Sequence, residues 1–224
     1  MKTPFDWQQA IGYRGAYVQS RLSAATPLFM ISLEEGILAY TARRQARKIY
    51  EIYDRLILGA TGQQSDVESL RIASIDYAHR EGFNRSEEDV SIARVISSMS
   101  AGLKTNFADF NSSPYVVQAI YSEVADKQED DIFYLLDFDG DYSMHKHVGY
   151  VLPSEYSGVD VRERLLEIQT KKQDLKKAAL ALRTLWIEVI DAKDKENLPE
   201  GLVDETILMS RDHSHITRFR EITL

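Results

Sequence analysis

The chain has 224 residues, 44% of them apolar, a formal net charge of −8 and no cysteine. That length favours one domain or at most two, and the apolar share can fill a sizeable core. The acidic balance argues against nucleic-acid binding, the missing thiols exclude disulfides and thiolate chemistry, and no run approaches the ~18 apolar residues of a membrane span.

The N-terminal segment lacks the apolar run of a signal peptide, so cytoplasmic residence is the default expectation. Residues 5–25 read as a first helix, with Trp7, Ala10, Ile11, Tyr17, Val18 and Leu22 at loosely helical spacing. Asp6 is its expected N-cap, Gly12 and Gly15 weaken it, and Pro27 closes it. The period then changes. Residues 28–33, a Glu34-Glu35-Gly36 turn and residues 37–41 form an expected β-hairpin. Arg43, Arg44, Arg47 and Lys48 read as a solvated connection. An alternating strand follows at 48–53, then a continuous apolar strand at 55–61.

Two helices come next. Residues 65–80 carry the stripe Val67, Leu70, Ala73 and Tyr77, with Gly82 as the stop signal. The second starts at Ser86 with an acidic first turn suited to the helix dipole. Its stripe is Val90, Ala93, Ile96, Met99, Leu103, Phe107 and Phe110. Strands are expected at 115–123, 132–138 and 145–151, the last two joined by a tight Asp139-Gly140 turn. Two further helices span about 158–170 and 171–192, the second with Leu175, Ala179, Leu182, Trp186 and Val189 inward. Final strands fit 205–210 and 216–222, and the acidic stretches 123–131 and 191–205 read as solvated loops. Helix pairs between groups of strands do not fit a doubly wound parallel sheet. They suit two sheets packed face to face with a helix pair on each outer side.

Several segments, in order, resemble proteasome α subunits, the bacterial branch above all. They are Lys48-Ile-Tyr-Glu-Ile-Tyr-Asp-Arg55, Leu58-Gly-Ala-Thr-Gly62, Ser65-Asp-Val-Glu-Ser-Leu-Arg71 and Asp76-Tyr-Ala-His-Arg-Glu-Gly82. The helix opened by Ser86, the pieces Pro114-Tyr-Val116 and Ser122-Glu-Val124, and Phe219-Arg-Glu-Ile-Thr223 continue the match, which covers about residues 26–223. The resemblance implies an α+β fold of the N-terminal-nucleophile hydrolase type: a four-layer αββα sandwich of two antiparallel sheets, plus an N-terminal helix. It implies one domain over 1–224, with a gate segment and helix at 1–25 and the sandwich at 26–224. It also implies a heptameric α ring that gates substrate access, docks a ring-shaped ATPase or other activator, and caps a ring of catalytic β subunits. Unfolded proteins would be the substrates in transit; no cofactor, nucleic acid or membrane is implied.

Catalytic relatives use an N-terminal threonine whose free amine can act as base, tuned by an aspartate and a lysine. Their nucleophile's place falls on Thr26 and their lysine's on Lys48. The aspartate's place is Ala42, Pro27 follows Thr26, Ala25 precedes it where self-cleaving precursors carry glycine, and a leader occupies its amine. No catalytic residue is therefore expected. By the resemblance Lys48, bordered by Gly62, would face a pocket between subunits and pair with an activator's terminal carboxylate. Trp7, Ile11, Tyr17, Val18 and Leu22 exceed what a free helix would expose and are the expected ring-assembly residues. An alternative is a catalytically dead homologue that assembles alone as a ring or scaffold. Two departures bear on it: no proline lies between Phe5 and Thr26 to shape a gate turn, and the chain stops just past its last strand.

Other constellations carry less. Asp137-Phe-Asp139-Gly-Asp141 lacks the sixth-position glycine and the closing glutamate of a calcium loop, so a hairpin turn is expected. His145 with His147, and His213 with His215, would each share one strand face, with no third ligand to complete a zinc site. No metal site is expected.

Overall fold

The computed structural model describes residues 4–154, 156, 158–171, 173–190, 198–214 and 217–224. Its first helix, α1 (Pro4–Leu22), starts on a proline, whose missing N–H costs nothing at that position. Asp6 is therefore inside the helix and not its N-cap. Strands β1 (Leu28–Leu33) and β2 (Gly36–Arg43) pair antiparallel as the expected hairpin, and β3 (Ile49–Tyr53) and β4 (Leu56–Gly62) form the next.

The helix α2 (Gln64–Asn84) runs straight through Gly82, which is no stop. Its buried face is Val67, Leu70, Ser74 and Ala78, whereas Ala73 points to solvent. Ser74 tolerates burial because its hydroxyl meets both the Leu70 carbonyl at 2.7 Å and the Tyr121 hydroxyl at 2.6 Å. The acidic segment after Ser86 is a separate 3₁₀ turn, Glu87–Asp89, and α3 (Ile92–Ala108) begins only beyond it. Glu123 accepts the Ile92 N–H at 2.8 Å, which fixes that start from a strand.

Strands β5 (Val117–Glu123), β6 (Ile132–Leu136) and β7 (Tyr142–His145) extend the β3–β4 sheet. The Asp139-Gly140 turn lies between β6 and β7, with Gly140 at φ 89° and its N–H bonded to the Asp137 carbonyl at 3.0 Å. The expected strand at 145–151 is in fact a corner. His147 adopts φ 71°, the chain turns, and β8 (Val148–Val151) pairs with β1 in the other sheet. The His145 and His147 side chains therefore do not share a strand face.

Helices α4 (Val161–Thr170) and α5 (Leu175–Val189) follow, each capped by an aspartate: Asp160 accepts the Glu163 N–H and Asp174 the Lys177 N–H. Strand β9 (Val203–Ser210) starts inside the stretch read as a loop, and β10 (Phe219–Glu221) is shorter than expected. Residues 191–197, His215 and Ile216 lie outside the described residues, so most of that loop and the pairing of His213 with His215 do too.

The sheets run β10-β9-β2-β1-β8 and β3-β4-β5-β6-β7, every pairing antiparallel. Alternation sorts the core into layers. Leu28, Met30, Ile37, Ile57, Ile120, Phe133 and Met209 meet between the sheets. Phe29, Ile31, Leu38 and Tyr40 face α4 and α5 through Leu165, Leu182 and Trp186. Leu56, Leu58, Ala60 and Tyr121 face α2 and α3. The molecule is thus an α+β four-layer sandwich, with strands apolar on both sides because both sides are covered.

At one end of the sandwich Arg211 clamps the layers. Its guanidinium forks onto Asp131 with both oxygens at 2.8 Å, and it also donates to the Leu33 carbonyl at 2.9 Å. Asp131, read as the end of a solvated loop, is buried for this reason.

Candidate functional site

The opposite end of the sandwich gathers the residues that the sequence singles out. Thr26 sits between α1 and β1. Its successor Pro27 lends its carbonyl to two donors, the Thr41 hydroxyl at 2.7 Å and the Trp186 indole N–H at 2.8 Å. Those bonds fix the junction from β2 and α5 at once. The Thr26 hydroxyl accepts from the Lys48 ammonium at 2.5 Å, and the Thr61 hydroxyl lies 3.5 Å from the same nitrogen. Ala42 is fully buried on the helix-facing side of its strand and offers no carboxylate.

Lys48 is held from behind. Its own N–H and that of Ile49 point at the buried carboxylate of Glu205 on β9: Lys48 N to Oε2 at 3.0 Å, Ile49 N to Oε1 at 3.2 Å. The Arg43 guanidinium stands 3.5 Å from the same carboxylate. Burial holds the Lys48 amine below the usual lysine range, against the opposing pull of the Glu205 charge. Burial pushes the Glu205 carboxyl up, opposed by the two N–H bonds and by Arg43 and Arg47. Among the described residues no carboxylate oxygen lies within ion-pair distance of the Lys48 ammonium. The connection before Lys48 is split: Arg44 and Arg47 are exposed, but Arg43 is drawn in by Glu205.

Gly62 ends β4 one residue after Thr61, at the same end of the sheet. It holds φ 132°, and a Cβ there would lie 2.1 Å from the Val116 carbonyl, so no other residue fits. That carbonyl accepts the Gln63 N–H at 2.8 Å, and Asp66 takes the Val116 N–H at 2.8 Å, which ties the entrance of α2 to the start of β5.

The helix α1 presents two kinds of face. Val18 and Leu22 are fully buried against Val116 and Phe138 of this chain. Ile11 is half-buried, whereas Trp7, Tyr17 and Tyr13 are about half or more exposed, at 46%, 51% and 69%. Arg14 is a residue that composition alone did not flag. Its guanidinium lies over the rings of Phe107 and Phe110, at 5.9 and 5.6 Å, and donates to the Asn106 carbonyl at 3.0 Å. A cation at the last turn of α3 also suits that helix's dipole. Trp7 adds an edge-on contact to Phe110 at 4.8 Å.

Asp137, Asp139 and Asp141 surround the β6–β7 turn, where Asp139 accepts the Asp141 N–H at 3.0 Å. No group of three or more acidic or histidine residues among the described residues could hold a metal ion. No described helix is long and apolar enough to cross a membrane.

The family model for proteasome subunits matches residues 35–181. The proteasome subunit alpha of Thermomonospora curvata is 27% identical over 211 residues, covering 93% of this chain and 88% of that protein. That of Paenarthrobacter aurescens is 29% identical over 216 residues, covering 93% and 86%. That of Streptosporangium roseum is 30% identical over 145 residues, an alignment that covers 62% of this chain and 56% of the relative.

Proposed function

The chain belongs to the proteasome subunit family, and we propose that it serves there as a non-catalytic α subunit. In this reading residues 26–224 form one sandwich domain and residues 1–25 a gate segment and helix. Seven copies form the outer ring, cap a ring of catalytic β subunits, restrict the axial pore and receive an activator, so that unfolded proteins pass inward for degradation in the cytoplasm. The relatives' names, all α subunits, support the α assignment.

The observation that carries the non-catalytic reading is the state of Thr26. Pro27 follows it with no N–H to donate, and the Pro27 carbonyl is already held by Thr41 and Trp186. Ala42 supplies no carboxylate to orient the lysine. Lys48 is left holding a hydroxyl, with no carboxylate among the described residues in ion-pair contact with its ammonium. A half-desolvated ammonium in that condition favours a carboxylate brought from outside, which is the docking role proposed for Lys48, with Gly62 shaping the adjoining backbone.

The test is reconstitution with a catalytic β subunit and a ring-shaped activator. The chain alone should hydrolyse no fluorogenic peptide, and Thr26→Ala should leave peptide hydrolysis by the reconstituted particle without activator unchanged. Lys48→Ala should assemble normally but bind the activator more than tenfold more weakly, since losing one partner of a desolvated interfacial charge pair costs about 2–5 kcal/mol. Turnover by the chain alone that Thr26→Ala abolishes would refute the non-catalytic reading. Undiminished activator binding by Lys48→Ala would refute the docking role.

A further inference from the structure

Glu205 is a carboxylate in an expensive place. It is 2% exposed, projects from β9, and spends its oxygens on the other sheet: the N–H groups of Lys48 and Ile49, where β3 begins. A buried charge is tolerated only when its lone pairs are satisfied, and here the satisfying donors are backbone groups of the residue whose ammonium faces Thr26. No other described side chain bonds those two N–H groups. The charged and titratable groups that face it are Arg43 from β2, Arg47 and Lys48 from the connection, and Tyr50 from β3.

We propose that Glu205 is a positioning residue for Lys48. Its carboxylate crosses between the sheets, fixes the backbone at the first turn of β3, and so sets where the ammonium stands and how strongly it holds a carboxylate delivered from outside. The inference rests on the docking role proposed for Lys48, but it makes a claim about Lys48 that can be judged without any activator. Among the described residues, the same carboxylate supplies the attractive charge that acts on the Lys48 ammonium. Removing it therefore does two things at once: it frees the Lys48 and Ile49 amides, and it makes Lys48 easier to deprotonate.

The experiment uses the full chain and, in parallel, the reconstituted particle, as wild type and as Glu205→Gln. Competitive acetylation with acetic anhydride across a pH series, read by mass spectrometry, gives the titration midpoint of Lys48 in each. The midpoint should fall in Glu205→Gln, which a purely structural residue would not cause. A short peptide with a free C-terminal carboxylate should bind the variant particle about tenfold more weakly, the scale of losing hydrogen bonds to a charged group. Its C-terminal amide should bind both forms equally poorly. An unmoved Lys48 midpoint in a folded Glu205→Gln chain would overturn the proposal. If the variant does not fold, amide exchange in the wild type decides. Protection of Lys48 and Ile49 should fall, relative to other β3 amides, as acid protonates Glu205; constant relative protection would overturn the proposal. If the midpoint moves but the carboxylate peptide does not bind even the wild-type particle, the positioning stands and the docking role is what fails.

Discussion

A lysine is solvated in the unfolded chain but Lys48 is half-buried here, so its titration reports on the fold itself. Its folded pKa lies below the ordinary lysine value of 10.5 because burial disfavours the charged form. Between the two values the unfolded chain holds a proton that the folded chain has released. Stability rises with pH wherever the unfolded state binds more protons, so this residue contributes a rising slope toward alkaline pH. Burial raises the Glu205 pKa, so above its ordinary value the folded form binds the extra proton and its slope has the opposite sign. Lys48→Met should flatten the alkaline rise in urea midpoints measured at stepped pH; an unchanged slope would show that Lys48 is not desolvated in the folded chain. At this scale the sequence made Lys48 and Gly62 visible through their surroundings in an ordered set of segments. It could not show Glu205 as Lys48's anchor. A lone glutamate 157 residues away carries no local signal of burial, and only the β2–β9 pairing brings it there. Arg14 was hidden for a similar reason: an arginine on an otherwise amphipathic helix reads as solvated until Phe107, Phe110 and the last turn of α3 are placed beneath it.

Among the elements, the hairpins and long helices were legible because their periods are strong, whereas the corners were not. Residues 145–151 hold no proline and no turn pair to break a strand, and the change of sheets rests on His147 at φ 71°, a conformation that non-glycine residues seldom adopt. Gly82 misled in the other direction: a glycine can stop a helix, but here the ridge continues because Tyr53 and Val90 pack against the bare backbone. The stripe of α2 slipped by one position because its buried member is a serine, satisfied by Tyr121, and not the alanine that hydrophobicity favours. The helix α1 divides between core and surface, which yields a test. Leu22 is fully buried beside Val116 and Phe138, so Leu22→Ala removes packed methyl groups and leaves a cavity, a change that costs about 2–5 kcal/mol. Denaturant unfolding of the isolated chain should show that loss. A destabilisation below roughly 0.5 kcal/mol, the level of an ordinary surface change, would mean that α1 does not dock as described.

For the molecule as a whole, helices arriving in pairs between groups of strands foretold two sheets packed face to face with helices outside, since a doubly wound parallel sheet would alternate single strands with single helices. Pairing order and the clamp of Arg211 on Asp131 depend on contacts between residues 80 positions apart, which no local pattern encodes. What the chain leaves uncovered bears on the proposed ring. Val18 and Leu22 are already spent on the chain's own core, so of the five residues expected to drive assembly they cannot also be the contact with a neighbour. Trp7 and Tyr17 can, because about half of each remains outside. Deleting residues 1–24 would strip both faces and confuse folding with assembly, whereas Tyr17→Glu leaves the buried face intact. A carboxylate there changes little in the isolated chain, where surface substitutions commonly stay within about 0.5 kcal/mol. In a ring it would be desolvated against the next copy without a partner, a burial that costs far more. The expected outcome is an unfolding midpoint close to wild type together with smaller species in native mass spectrometry and on sizing columns, most of all when the β subunit is present. Rings of unchanged size and stability from Tyr17→Glu, and again from Trp7→Glu, would place the subunit contact elsewhere and leave α1 as a helix that serves only its own fold.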